Sequence, residues 1–106
     1  MRTSIVRYRI TPDRADENQQ LVEEVYEELA ASQPEGLRYA TFRLAEGTFV
    51  HIAEVGADPN PLFGISAFDR FQAALGDRCE PGEGPNAQQA ALVGSYGFSF
   101  GADSGA

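Results

Sequence analysis

The sequence predicts a ferredoxin-like α+β domain: chain order β-α-β-β-α-β, with a four-stranded antiparallel sheet carrying two helices on one face. Three observations carry this expectation. An alternating segment at residues 4–10 runs into an acidic amphipathic helix, two alternating segments meet at Ala45, Glu46 and Gly47, and a short aromatic helix precedes a last alternating segment that ends at Phe100. At 106 residues the chain fits one domain, and a chain of this size buries roughly 60 to 65% of its unfolded surface, enough for one modest core. Residues 1–100 are expected to form that domain. The closing "GADSGA", residues 101–106, is too small and polar to pack and is expected to be a disordered tail.

In "SIVRYRI" Val6, Tyr8 and Ile10 share one face, while Ile5, Arg7 and Arg9 share the other, so a first strand is predicted. "TPDRADENQQ" opens a helix: Thr11 can cap it, Pro12 suits its first position, and Asp13, Asp16 and Glu17 favour the positive end of the helix dipole. Leu21, Val22, Val25, Tyr26 and Leu29 recur at three- and four-residue spacing, opposite Glu23, Glu24, Glu27 and Glu28. The helix should end near Ser32, because Pro34 and Gly36 cannot continue it.

"GLRYATFRLAEGTFVHIAEV" reads as a hairpin. A two-residue loop at Glu46 and Gly47 would set Phe42 opposite His51. A type I turn with Gly47 in the left-handed bulge position pairs Leu44 with Thr48, Phe42 with Val50, Ala40 with Ile52 and Arg38 with Glu54. The second register is preferred, because apolar then meets apolar and charge meets opposite charge. The face holding Phe42, Ala40, Val50 and Ile52 is expected to be the core. Tyr39, Thr41, Arg43, Phe49, His51 and Ala53 are expected on the other face.

"GADPNPLFGIS" is a loop, and Ser66 with Asp69 makes a capping-box-like start to a short helix whose apolar stripe is Phe68, Phe71 and Leu75. Residues 76–91, with Pro81, Gly82, Gly84 and Pro85, read as a long mobile connection. "LVGSYGFSF" alternates again and is predicted as the fourth strand. With both helices on one side, the opposite face would expose an aromatic patch of Tyr39, Phe49, His51, Tyr96, Phe98 and Phe100. Such a patch is more than a monomer normally leaves bare, so a homodimer through the open sheet face is expected.

Composition removes several function classes. The net charge of −8 and eight scattered arginines argue against nucleic acid as a partner, and no run of apolar residues reaches membrane length. Residues 1–10 lack an uninterrupted apolar region of signal-peptide type, so the expected compartment is the cytoplasm. There is no lysine, hence no Schiff-base enzyme and no phosphate-loop lysine. Single Cys79 and single His51, with no calcium-loop spacing, leave no metal site to expect.

What chemistry remains rests on few side chains. His51 is the candidate general base toward a phenol or an enolisable ketone, since an imidazole titrates nearest neutrality. Thr41, directly across, Tyr39, diagonal to it, and Arg7, on the neighbouring strand, are its candidate partners, and Tyr39 is the second candidate catalytic residue. Tyr8, Tyr26, Tyr39 and Tyr96 could hydrogen-bond a phenolic or quinone ligand, Phe68 and Phe71 could line a cavity between helix and sheet, and Arg43 and Arg7 could hold a carboxylate. The bland alternative is core packing for the aromatics and a hydrogen-bonded interface position for His51. No serine sits in a nucleophile elbow.

The element order, the hairpin "YATFRLAEGTFVHIAEV", the loop "NPL" leading into "SAFDRFQAAL" and the terminal "LVGSYGF" resemble the antibiotic-biosynthesis-monooxygenase-like domains of the dimeric α+β barrel superfamily. The resemblance spans residues 4–100. It implies a cofactor-free oxygenase acting on polycyclic phenols, a haem-degrading enzyme or a small-molecule isomerase. The oxygenases and haem degraders of that superfamily use a tryptophan, and this chain has none, so no catalytic residue is carried over. The expectation is a monooxygenase-like domain, an oxygenase or isomerase with no cofactor, acting on a small aromatic or apolar substrate; the alternative is a non-catalytic module that binds a small ligand or dimerises.

Overall fold

Strand β1, Arg2–Arg9, lies inside the sheet and pairs antiparallel on both sides, with β3, Thr48–Val55, and with β4, Asn86–Ala90. Strand β2, Leu37–Arg43, pairs with the other edge of β3, which gives the order β2-β3-β1-β4. Among the described residues there are three α-helices, α1 (Ala15–Ser32), α2 (Ser66–Gln72) and the single turn α3 (Leu75–Arg78). Val22 and Val25 of α1 and Phe68 and Phe71 of α2 share one core with Tyr8 and Phe49 of the sheet. This is the expected four-stranded ferredoxin-like α+β architecture. The structure is a computed structural model that describes residues 1–100, and the expected tail at 101–106 lies outside the described residues.

Helix α1 starts later than its sequence suggests. Pro12–Arg14 form a 3-10 turn closed by the Arg14 amide donating to the Thr11 carbonyl, and the Thr11 side chain caps nothing. At the other end Gln33 turns into the left-handed region and donates its amide to the Leu29 carbonyl, as a C-terminal stop should. The buried stripe of α1 is Ala15, Asn18, Val22 and Val25, so a polar residue sits among the apolar ones.

The hairpin has the preferred register. Arg38 faces Glu54, Ala40 faces Ile52, Thr41 faces His51 and Phe42 faces Val50. Gly47 supplies the turn with φ +91°, donating to the Leu44 carbonyl while Leu44 donates to that of Thr48. A Cβ at Gly47 would stand 3.0 Å from the Ile10 carbonyl oxygen, so close approach and left-handed backbone both require glycine here.

The two faces are the reverse of the expected ones. Phe49, His51, Ala53 and Val55 are buried toward the helices with Tyr8, whereas Val50, Ile52, Ala40 and Phe42 lie on the outer face, half-buried or exposed. Strand β3 is apolar on both sides, so hydrophobicity alone does not choose. The choice falls to the side on which His51 finds hydrogen-bond partners within the core.

The fourth strand is Asn86–Ala90, not residues 92–100, and the stretch expected to be a mobile connection contains most of α3 and all of this strand. The cause is register. The Ile10–Cys79 bridge and the Glu80 amide on the Arg9 carbonyl bring the chain to the end of β1, and pairing then runs from Arg7–Asn86 to Thr3–Ala90. Beyond Ala90 almost nothing of β1 remains to pair with. Residues 91–100 therefore leave the sheet with Leu92, Val93, Tyr96 and Phe98 exposed, and Phe100 contacts Phe42 edge to face at 5.1 Å between ring centroids.

The capping box expected at Ser66 and Asp69 is replaced by a longer-range cap. Glu28 of α1 accepts from the Ser66 amide (3.1 Å), the Ser66 hydroxyl (2.9 Å) and the Ala67 amide (2.8 Å), so a carboxylate of one helix closes the N-terminus of another. Those bonds hold the Glu28 carboxyl below its usual range. Among the described residues no helix is long and apolar enough to cross a membrane, and no cluster of His, Cys, Asp or Glu could hold a metal ion.

Candidate ligand site

Between the sheet and α2 lies a cavity of about 170 Å³ whose walls are mostly apolar. Val6, Tyr8, Tyr39 and His51 line it from the sheet, and Phe68 and Phe71 line it from α2. Strand alternation aims the first set: Tyr8 pairs with Phe49 and Val6 with His51, so Val6, Tyr8 and His51 all project from one face. Helical spacing aims the second, with Phe68 and Phe71 on the buried side of α2.

His51, 4% exposed, is the polar centre of this wall. The Tyr8 hydroxyl is 2.7 Å from Nε2, the Tyr39 hydroxyl 2.6 Å from Nδ1, and Thr41 Oγ1 3.1 Å from Nδ1. Tyr26 meets Thr41 Oγ1 at 2.7 Å and stacks on Tyr39. On the far side Asn18 Nδ2 donates to the Tyr8 hydroxyl at 3.1 Å, and Arg78 Nε donates to Asn18 Oδ1 at 3.0 Å. A second Arg78 nitrogen donates to the Phe71 carbonyl at 2.7 Å, with the guanidinium lying over the Phe71 ring.

Burial governs the protonation of this chain. It pushes the His51 pKa down to about 4, so the imidazole is neutral at pH 7. It raises Tyr8 and Tyr39 above the usual phenol range and pushes Tyr26 up to about 12, so all three hydroxyls keep their protons. Arg78 stays a cation, although desolvation lowers its pKa. The arrangement can hold a small ligand against apolar walls and offer it hydrogen bonds from neutral groups.

Of the residues expected at a site, the structure brings His51, Tyr39, Tyr8, Phe68 and Phe71 together at one cavity. His51 faces the helices rather than the outer face on which it was expected. Tyr96 is not among them: it is 97% exposed on the segment that leaves the sheet, because the fourth strand forms before it. Arg43 is likewise elsewhere, paired with Asp16 at 2.9 Å and bonded to Gln19 at 2.7 Å, and Arg7 is exposed opposite Val50 on the outer face, so it does not meet His51. Asn18 and Arg78 were not anticipated. Asn18 is in phase with Val22 and Val25, and a lone amide in an apolar stripe was the available signal; Arg78, in a polar stretch between short elements, carried none.

A haem would need an open ligand at His51. Both ring nitrogens are already hydrogen-bonded and the cavity is far smaller than a porphyrin, so the residues present do not fit that group.

No protein-family model and no curated protein matches the sequence. Solved structures do match the fold. A protein described as an antibiotic biosynthesis monooxygenase superposes with TM-score 0.65 at 21% identity, over 89% of this chain and all of its own. A Nitrosomonas europaea protein, a candidate of the same description, gives 0.69 at 11% identity over 88% of this chain and 99% of its own. A second protein from that organism, of unknown function, gives 0.66 at 11% identity over 92% and 94%. The chain therefore has the ferredoxin-like α+β fold seen in structures named antibiotic biosynthesis monooxygenases.

Proposed function

We propose that this chain is a monooxygenase-type domain that takes a small, single-ring apolar or aromatic substrate into the cavity beside His51, without a cofactor. The observation that carries this reading is an apolar cavity with a buried, neutral histidine held between two tyrosine hydroxyls. Its size suits the proposal, since dry apolar cavities on the order of 150 Å³ take up benzene. The tyrosine–histidine chain gives a substrate hydroxyl or enolisable group a route for exchanging a proton without building a charge in the core. The names borne by proteins of the same fold support the reaction class. The test is titration with benzene-sized aromatics followed by oxygen uptake with single-ring hydroquinones. Turnover that falls at least tenfold in His51→Ala supports the reading; no binding of any of these aromatics overturns it.

The reading includes a homodimer in the cytoplasm. The outer sheet face carries Ile5, Ala40, Phe42, Val50 and Ile52, and the adjoining segment exposes Leu92, Val93, Tyr96 and Phe98. A second copy facing the sheet would cover both.

A second reading, a non-catalytic binder of the same ligands, is favoured by one observation. Both His51 nitrogens are occupied and its proton affinity is low, which makes it a weak base. Ligand binding without turnover is its signature.

A further inference from the structure

Arg78 is 2% exposed, and among the described residues no carboxylate lies within ion-pair distance of it. Its guanidinium can only donate. Asn18 therefore meets it with Oδ1, which turns Nδ2 toward Tyr8. The Tyr8 oxygen accepts that bond, and its one proton then points to Nε2 of His51. Were Tyr8 to accept from Nε2–H as well, its own proton, on a residue only 2% exposed, would have no protein acceptor, whereas Tyr39 is only part-buried. A neutral imidazole that accepts at Nε2 carries its proton on Nδ1 and donates it to Tyr39, with Thr41 Oγ1 as a weaker second acceptor. Tyr39 is left with its own proton to place. Thr41 Oγ1, which Tyr26 also meets, is the protein acceptor within its reach, and an acceptor in the cavity that Tyr39 lines would compete for that proton.

We propose that Arg78 and Asn18 are positioning residues that fix the direction of the whole hydrogen-bond chain, so that the site presents a donor, the Tyr39 hydroxyl, to its ligand. The ligand class that follows is a small apolar ring bearing an acceptor oxygen, such as an aryl ketone or aldehyde. The ligand class rests on the cavity reading above; the direction of the chain does not.

The direction is read by long-range ¹⁵N–¹H correlation NMR of the unliganded protein at neutral pH, where the His51 proton is expected on Nδ1. Asn18→Asp supplies two acceptors, one for Arg78 and one for Tyr8. Tyr8 then donates to the new carboxylate and accepts from Nε2–H, so the tautomer reverses. A proton on Nε2 in the parent overturns the proposal, as does a variant that folds with its tautomer unchanged; should the variant fail to fold, the parent tautomer decides. The ligand class is read by titration with acetophenone against isopropylbenzene, which has nearly the same shape but no acceptor. Acetophenone is expected to bind about tenfold tighter, the worth of one good hydrogen bond, and to lose that advantage in Tyr39→Phe. Equal affinities in the parent overturn the donor assignment. Binding of neither overturns the ligand class together with the cavity reading, and the tautomer still decides the direction.

Discussion

His51 binds protons well in the unfolded chain and poorly in the folded one, so it couples stability to pH. Its pKa falls from 6.5 to about 4 on burial, and below pH 6.5 the unfolded state takes up a proton that the native state refuses. Stability from this residue is full above about pH 6.5 and is lost as pH falls toward 4, by up to about 3 kcal/mol if the whole shift is realised. Denaturant melts from pH 7 to pH 4.5 are expected to show that loss, and His51→Phe is expected to flatten the slope while lowering stability at pH 7. Arg78→Met leaves Asn18 Oδ1 and the Phe71 carbonyl without their donor, which should cost about 1 to 3 kcal/mol in the same melts. At this scale the partners of His51 were partly legible: the hairpin register set Thr41 across from it and Tyr39 on the diagonal. Its orientation was not, because Val50 and Ile52 make as good a core face as Phe49 and Ala53. Alternation separates two faces without saying which one the helices cover.

Each element draws on contacts of a different range. Gly47 is local: its left-handed backbone and the nearby Ile10 carbonyl make Gly47→Ala destabilising by about 1 to 2 kcal/mol, seen as a lower urea midpoint at unchanged slope. Glu28 is not local. Glu28→Ala is expected to lower Tm at pH 7 by uncapping α2. Because the folded carboxyl titrates below its usual range, that contribution is present above the unfolded pKa and is lost as pH falls through the folded one, so parent and variant should converge in acid. The hairpin and α1 were readable because their signals, a turn glycine and a helical period, lie within the elements themselves. The fourth strand is not legible in the sequence, for the opposite reason. "LVGSYGFSF" alternates better than "NAQQA", yet the position of β4 is set by where α3 delivers the chain to β1, a constraint that appears in neither segment.

The molecule keeps an alternating aromatic segment, residues 91–100, outside its own sheet, and at this scale the dimer proposal is tested. Sedimentation across a dilution series is expected to give a dimer at micromolar concentration, and ending the chain at Ala90 is expected to raise the dissociation constant at least tenfold; a stable monomer at that concentration would refute the arrangement. The order of elements made the architecture legible in outline, while the destination of residues 91–100 depends on surfaces far from them in sequence. The cap on α2 has a last consequence, and it is kinetic. Helix α2 carries Phe68 and Phe71, which form one wall of the cavity, and its first two amides are held by a single carboxylate from α1. On the proposed reading, loosening that cap is expected to shorten the residence time of a bound ring.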